Sequence, residues 1–213
     1  MDTKTALVIG ASGMIGSDLL KQLLADERYG KVIALVRKPL GVEHEKLEQR
    51  RYDFDWPNPD LIEGDEFFCC LGTTIRNAGS QEAFKRVDYQ YVLETAQAAL
   101  KNGAKRMVIV SSVGANKDSK VFYTRVKGEI EDAVAALGFE ACFILRPSML
   151  LGVRDELRMG ELVGKFAMTT FSRLIPKKYK AIEGKQVAKA MIQSINSEDT
   201  GKLVIESNEL LEM

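Results

Sequence analysis

Ala6-Leu7-Val8-Ile9-Gly10-Ala11-Ser12-Gly13-Met14-Ile15-Gly16 decides the fold of this chain. The apolar, partly β-branched run Ala6 to Ile9 reads as a buried strand. Beyond it Ile15, Leu19, Leu20, Leu23 and Leu24 recur on one face at helical spacing. Between strand and helix stand three glycines, each three residues from the next. They let the backbone turn without a Cβ, bring peptide N–H groups close to a ligand and let the helix pack on its strand. The helix N-terminus aims unpaired N–H groups and the positive end of its dipole at the turn. An anion such as a dinucleotide diphosphate fits there, held by Gly10, Ser12, Gly13, Met14, Ile15 and Gly16. The spacing is Gly-x-x-Gly-x-x-Gly, looser than the familiar Gly-x-Gly-x-x-Gly fingerprint.

The same alternation continues outward. Lys31 to Val36 predicts a second buried strand, and Arg51-Tyr52-Asp53-Phe54 has the alternation of a short one. Glu66 to Leu71, Met107 to Val110 and Ala141 to Leu145 are further apolar runs of strand length. A long helix is expected from an N-cap at Ser80 to about Gly103, and another around Tyr123 to Leu137. Strands alternating with helices predict an α/β fold, a doubly wound, Rossmann-like parallel sheet with right-handed crossovers. Residues 153–183 break the pattern with a charged piece and a helix from Gly160 to Phe171, which predicts a small substrate-side cap. A helix over Gly184 to Ile195 and a strand over Lys202 to Ile205 then return to the sheet, so residues 1–213 are expected to form one domain.

Each strand end delivers chemistry to one edge. Arg37-Lys38 closes the second strand, where an acidic residue would hold the ribose 2′-hydroxyl of NAD. Two cations suit a 2′-phosphate instead, so NADP(H) is the expected cofactor; the alternative is a pair of solvated surface cations. Asp53 is placed either to accept from the adenine amino group or as a turn residue before Trp56-Pro57. Gly72-Thr73-Thr74 follows the next strand and again lets backbone approach a ligand at the carboxyl edge. The fifth strand delivers Ser111-Ser112 to that edge.

Tyr123 and Lys127 lie four apart in a helical segment and project from one face. Hydride transfer to a carbonyl leaves an alkoxide that needs a proton, and a phenol with a reference pKa of about 10 serves only if its anion is stabilised. Lys127 supplies that stabilisation, and Ser112 fixes the substrate oxygen by a hydrogen bond. Ser111, pointing to the opposite side of the strand, is assigned to the cofactor side.

Composition excludes other classes. Lys and Arg total 30 against 30 Asp and Glu, so no broad attraction to nucleic acid or anionic membrane is expected. No apolar run approaches the ~18 residues of a membrane span. The single histidine, His44, sits in a charged stretch, which removes most support for a Ser-His-Asp hydrolase or a histidine-bearing zinc site. Three cysteines in apolar runs read as buried thiols, and with no signal-peptide core at Met1-Asp2-Thr3-Lys4 the expected location is cytoplasmic.

These residues resemble a known group. Gly10-x-x-Gly13-x-x-Gly16, Cys69-Cys70-Leu71-Gly72-Thr73-Thr74, Val87-Asp88, Ser111-Ser112, Tyr123-x-x-x-Lys127-Gly128-Glu129 and Arg146-Pro147 are similar to the atypical short-chain dehydrogenases of the Tat-interacting-protein oxidoreductase type. The resemblance covers roughly residues 5 to 195. It implies a Rossmann fold, NADPH bound along these motifs, Pro147 included, and a Ser112-Tyr123-Lys127 site acting on a small carbonyl substrate. Asp88 stands where many members carry an asparagine, which leaves a proton relay through that position open. The rival reading from another class is a nucleotide sensor that keeps fold and cofactor but binds a protein partner through residues 153–183. A nucleotide-sugar epimerase would use the same three residues, but only a small lobe follows the sixth strand.

Overall fold

The computed structural model describes residues 3–151 and 176–213. Its centre is a seven-stranded, wholly parallel sheet in the order β3-β2-β1-β4-β5-β6-β9. The strands are β1 (Lys4–Ile9), β2 (Tyr29–Val36), β3 (Leu47–Arg51), β4 (Glu66–Cys69), β5 (Arg106–Val110), β6 (Ala141–Arg146) and β9 (Gly201–Glu206). A separate two-stranded parallel pair joins β7 (Leu150–Leu151) to β8 (Ile182–Glu183). The helices are α1 (Met14–Ala25), α2 (Ile75–Ala78), α3 (Gln81–Lys85), α4 (Tyr91–Lys101), α5 (Phe122–Ala135), α6 (Gly184–Ile195) and α7 (Ser207–Leu210). The doubly wound, Rossmann-like sheet expected from the sequence is therefore present.

Strand alternation divides the core between the two faces of the sheet. Ala6 and Val8 of β1 join Leu19, Leu23, Val187 and Met191, so α1 and α6 cover one face. Leu7 and Ile9 join Val92, Ala96, Ile130 and Val134, so α4 and α5 cover the other. With both faces covered, the central strands are apolar almost throughout, which is why they read as continuous runs.

Two sequence expectations change. The strand expected at Arg51–Phe54 lies instead at Leu47–Arg51. As an edge strand it carries polar residues, with Glu48 paired to Lys31 and Arg50. The aromatic alternation belongs to the segment after it, where Tyr52 and Phe54 are buried edge to face at 4.9 Å and Phe54 stacks on Tyr91 at 5.3 Å. The helix expected from Ser80 begins with that N-cap, its hydroxyl accepting from Ala83 N–H at 3.0 Å, but a π-turn over Arg86–Gln90 separates α3 from α4. The proposed helix Gly160–Phe171 and most of the 153–183 cap lie outside the described residues.

The order of strands reverses at β1, whose neighbours are β2 and β4. Chains leaving β1 and β4 turn to opposite sides there, which opens a crevice at their carboxyl ends.

Candidate active site

The glycine turn occupies that crevice, and its three glycines do different work. Gly10 adopts φ +78°, and a Cβ on it would stand 2.4 Å from the Cys70 carbonyl carbon, so the turn lies directly on the chain leaving β4. A Cβ on Gly16 would stand 2.1 Å from the Gly10 carbonyl oxygen, so α1 reaches its strand only because this residue has no side chain. Gly13 is less confined: a Cβ there meets nothing nearer than the Gly10 oxygen at 3.2 Å. Gly13 caps α1 without a side-chain hydrogen bond, and the first helical bond runs from Ser17 N–H to the Gly13 carbonyl at 2.9 Å. Among the described residues the N–H groups of Met14, Ile15 and Gly16 take no partner, as the first turn of a helix leaves them, and they stand beside the exposed Ser12. Two features, an unfilled cradle at Gly13 and free helix-terminal donors, fit a diphosphate.

A cleft of about 650 Å³ opens over this turn, lined by Gly10, Ser12, Arg37, Lys38, Leu40 and Phe54 among others. Arg37 and Lys38 are exposed, and among the described residues neither takes an ion-pair partner. Sequence reading missed a third cation. The β2–β3 register sets Val36 beside Arg51, which lines a smaller cleft of about 330 Å³ with Arg37 and Lys38. Arg51 ends the edge strand, where the sequence reading has it beginning one. Asp53 is exposed, and its carboxylate accepts the Asp55 N–H at 3.0 Å in the turn before Trp56.

A neighbouring cleft of about 480 Å³ extends the site along Cys70, Leu71, Gly72 and Thr73 to Asn77 and Tyr91. Thr74 caps α2, its hydroxyl accepting from Asn77 N–H at 3.2 Å. The Thr73 N–H donates to Asp88 at 2.8 Å. Asp88 is fully buried in the π-turn, and its other carboxylate oxygen lies 2.8 Å from the Lys127 ammonium, itself buried in α5. Burial opposes the Lys127 charge, but the Asp88 carboxylate and the Tyr123 phenol outweigh it and hold the ammonium above the ordinary lysine value. Behind the pair, burial pushes the Cys69 thiol up to about 12, so it stays protonated.

Tyr123 is half-buried in the first turn of α5, its ring tilted against Phe84 at 5.5 Å, and among the described residues its hydroxyl has no hydrogen-bond partner. The loop carrying Ser112 is held along the same helix. A Cβ on Gly128 would stand 2.2 Å from Lys117 N, and Asn116 N–H donates to the Thr124 carbonyl at 3.0 Å. The glycine after Lys127 is therefore what lets the serine loop lie on α5. The Ser112 hydroxyl makes only a long 3.4 Å approach to the Val113 carbonyl among the described residues, leaving it available.

Ser111 and Pro147, both expected at the cofactor, make contacts within the protein. The Ser111 hydroxyl donates to Glu131 at 2.5 Å in a buried network, where Arg146 pairs with both Glu131 and Glu206. Its side chain is thus turned into the fold by the alternation of β5. Pro147 is buried, and its carbonyl accepts the Val113 N–H at 3.0 Å. Among the described residues no cluster of His, Cys, Asp and Glu is placed to hold a metal, and no helix is long and apolar enough to cross a membrane.

Comparison with known proteins gives this geometry a family. A model described as NAD(P)H-binding matches residues 10–198. The protein HTATIP2 of Rattus norvegicus is 35% identical over 99% of this chain and 89% of its own length. FMP52, mitochondrial, of Eremothecium gossypii is 33% identical over 98% of this chain and 96% of its own. In structure the chain is similar to MoeE5 in complex with UDP-glucose and NAD, with a TM-score of 0.73 at 18% identity, over 98% of this chain and 80% of that one. The expected cytoplasmic location is corrected by these relatives, since the FMP52 proteins of several yeasts are named mitochondrial. The sequence features behind that expectation, buried thiols and no signal-peptide core, do not separate the two compartments. A model match over most of the sequence, and relatives aligned along nearly its whole length, make this chain a member of the NAD(P)H-binding family, related to HTATIP2 and FMP52.

Proposed function

We propose that the protein is an NADP(H)-dependent oxidoreductase of the atypical short-chain dehydrogenase type that reduces a small carbonyl compound. The observation that carries this reading is the buried, charged Lys127, one helical turn from an unengaged Tyr123 and set behind the Gly72-Thr73 edge of the nucleotide cleft. A lysine buried so completely is rare without a task or a partner, and this one couples to the phenol.

The glycine turn and the first turn of α1 would hold the diphosphate by backbone donors, and Arg37, Lys38 and Arg51 would hold the 2′-phosphate. When bound, NADPH would supply the hydride. Ser112 donates to the substrate oxygen and fixes it, and Tyr123 gives that oxygen its proton. Lys127 stabilises the phenolate that remains. Each of these groups is supplied by the carboxyl edge of the sheet, so the substrate approaches from the side of β5 and α5.

Cofactor choice tests the reading. NADPH is expected to bind more tightly than NADH by ~1–3 kcal/mol, the range of charge-assisted phosphate contacts. Arg37→Asp should move the preference toward NADH. Calorimetry at moderate salt checks both, and equal dissociation constants for the two nucleotides in the native protein would contradict the assignment.

A further inference from the structure

Asp88 is a carboxylate where the proposed chemistry asks for none. It sits in the π-turn Arg86–Gln90, and such turns insert one residue into a helix and re-aim a side chain. Within this turn Asp88 faces inward, 1% exposed, with one oxygen on the Thr73 N–H at 2.8 Å and the other on Lys127 at 2.8 Å. Gly72 makes the room: a Cβ on it would stand 3.3 Å from that second oxygen and 3.6 Å from the Lys127 nitrogen. Three separate segments therefore converge on one ammonium: the loop after β4, the π-turn and α5. A lysine buried this deeply keeps its charge only beside a counter-charge, and Asp88 supplies it.

We propose that Asp88 is a positioning residue that fixes Lys127 through this ion pair and divides its charge with Tyr123. The inference rests on the reading of Tyr123 as proton donor. The groups that face Lys127 are Asp88 from the π-turn, Tyr123 from its own helix and Cys69 from β4. Cys69 stays a neutral thiol, so Asp88 is the one formal charge opposing the ammonium among these groups. With the pair intact the phenol sees a cation largely balanced by its neighbour. An asparagine at position 88 keeps the acceptor for Thr73 but leaves the ammonium unbalanced, and the phenolate then forms at lower pH.

The test is the ionisation of Tyr123 in the protein without nucleotide or substrate, read by NMR of ring-labelled tyrosine and assigned with Tyr123→Phe among the six tyrosines. Asp88→Asn should lower the Tyr123 midpoint by about one pH unit, the lower end of what a nearby charge does. Lys127→Gln should raise it by a similar amount. The double variant Asp88→Asn/Lys127→Gln removes both charges, avoids a lone buried ion and should return the midpoint to near the native value. If Asp88 only filled space, Asp88→Asn would leave the midpoint in place and the double variant would rise as far as Lys127→Gln; that result overturns the inference, and the double variant decides the matter even where Asp88→Asn does not fold. These midpoints are readable whether or not any carbonyl compound is turned over, so failure of the enzymatic reading and failure of this one are told apart.

Discussion

Tyr123→Phe is expected to lower turnover of a carbonyl substrate by ~100-fold or more, while NADPH affinity stays within about twofold of native. The phenol hydroxyl acts in the transition state, when the alkoxide needs its proton, and contributes little to ground-state binding. Phenylalanine keeps the ring contact with Phe84 at 5.5 Å, and no hydrogen bond among the described residues is lost, so folding is unaffected. Steady-state kinetics beside calorimetry check both halves. A nucleotide-dependent binding protein gives another pattern, with Tyr123→Phe silent and Gly13→Val abolishing nucleotide and partner binding together. Full activity in Tyr123→Phe would reduce the Tyr-Lys pair to an ordinary helix face.

Lys127→Met is expected to damage stability as well as activity. The substitution leaves the Asp88 carboxylate, 1% exposed, with the Thr73 N–H as its remaining polar partner among the described residues. Removing one partner of a buried ion pair costs about 3–5 kcal/mol, because the other charge is stranded away from water. The native pair need not be strongly stabilising for this to hold, since the cost lies in the uncompensated ion. Urea unfolding should therefore show a much lower midpoint in Lys127→Met and partial recovery when Asp88→Asn is added. A midpoint unchanged by Lys127→Met would mean that water reaches Asp88, against the burial described above.

Much of this was legible because a parallel sheet with both faces covered writes itself as apolar runs, and because glycines are demanded where backbones approach closely. The bounds of α6 coincide with the Gly184–Ile195 periodicity, and β1 leads into the glycine turn as its spacing predicts. What escaped the sequence has physical reasons. The edge strand β3 is polar, Leu47-Glu48-Gln49-Arg50-Arg51, so no alternation marks it and Arg51 was left out of the cation group. Phe84, Val87, Tyr91 and Thr95 recur at three- and four-residue steps straight through the π-turn, so one inserted residue leaves no visible break. The Asp88–Lys127 pair joins two helices and depends on the inward turn of one of them. The partner of Ser111, Glu131, lies twenty residues on in α5, so strand alternation alone does not show that the Ser111 hydroxyl turns to the Glu131–Arg146 network and away from the cofactor edge.

The central claim is that this edge of the sheet transfers hydride from a nicotinamide to a carbonyl carbon. Its most direct test is isotopic: the protein is incubated with NADPH deuterated at the transferable C4 position and a panel of small aldehydes and ketones, and the products are weighed by mass spectrometry. The account predicts an alcohol carrying one deuterium on the former carbonyl carbon, formed by native protein and suppressed in Tyr123→Phe. Tight NADPH binding with no deuterium in any product across the panel would contradict it.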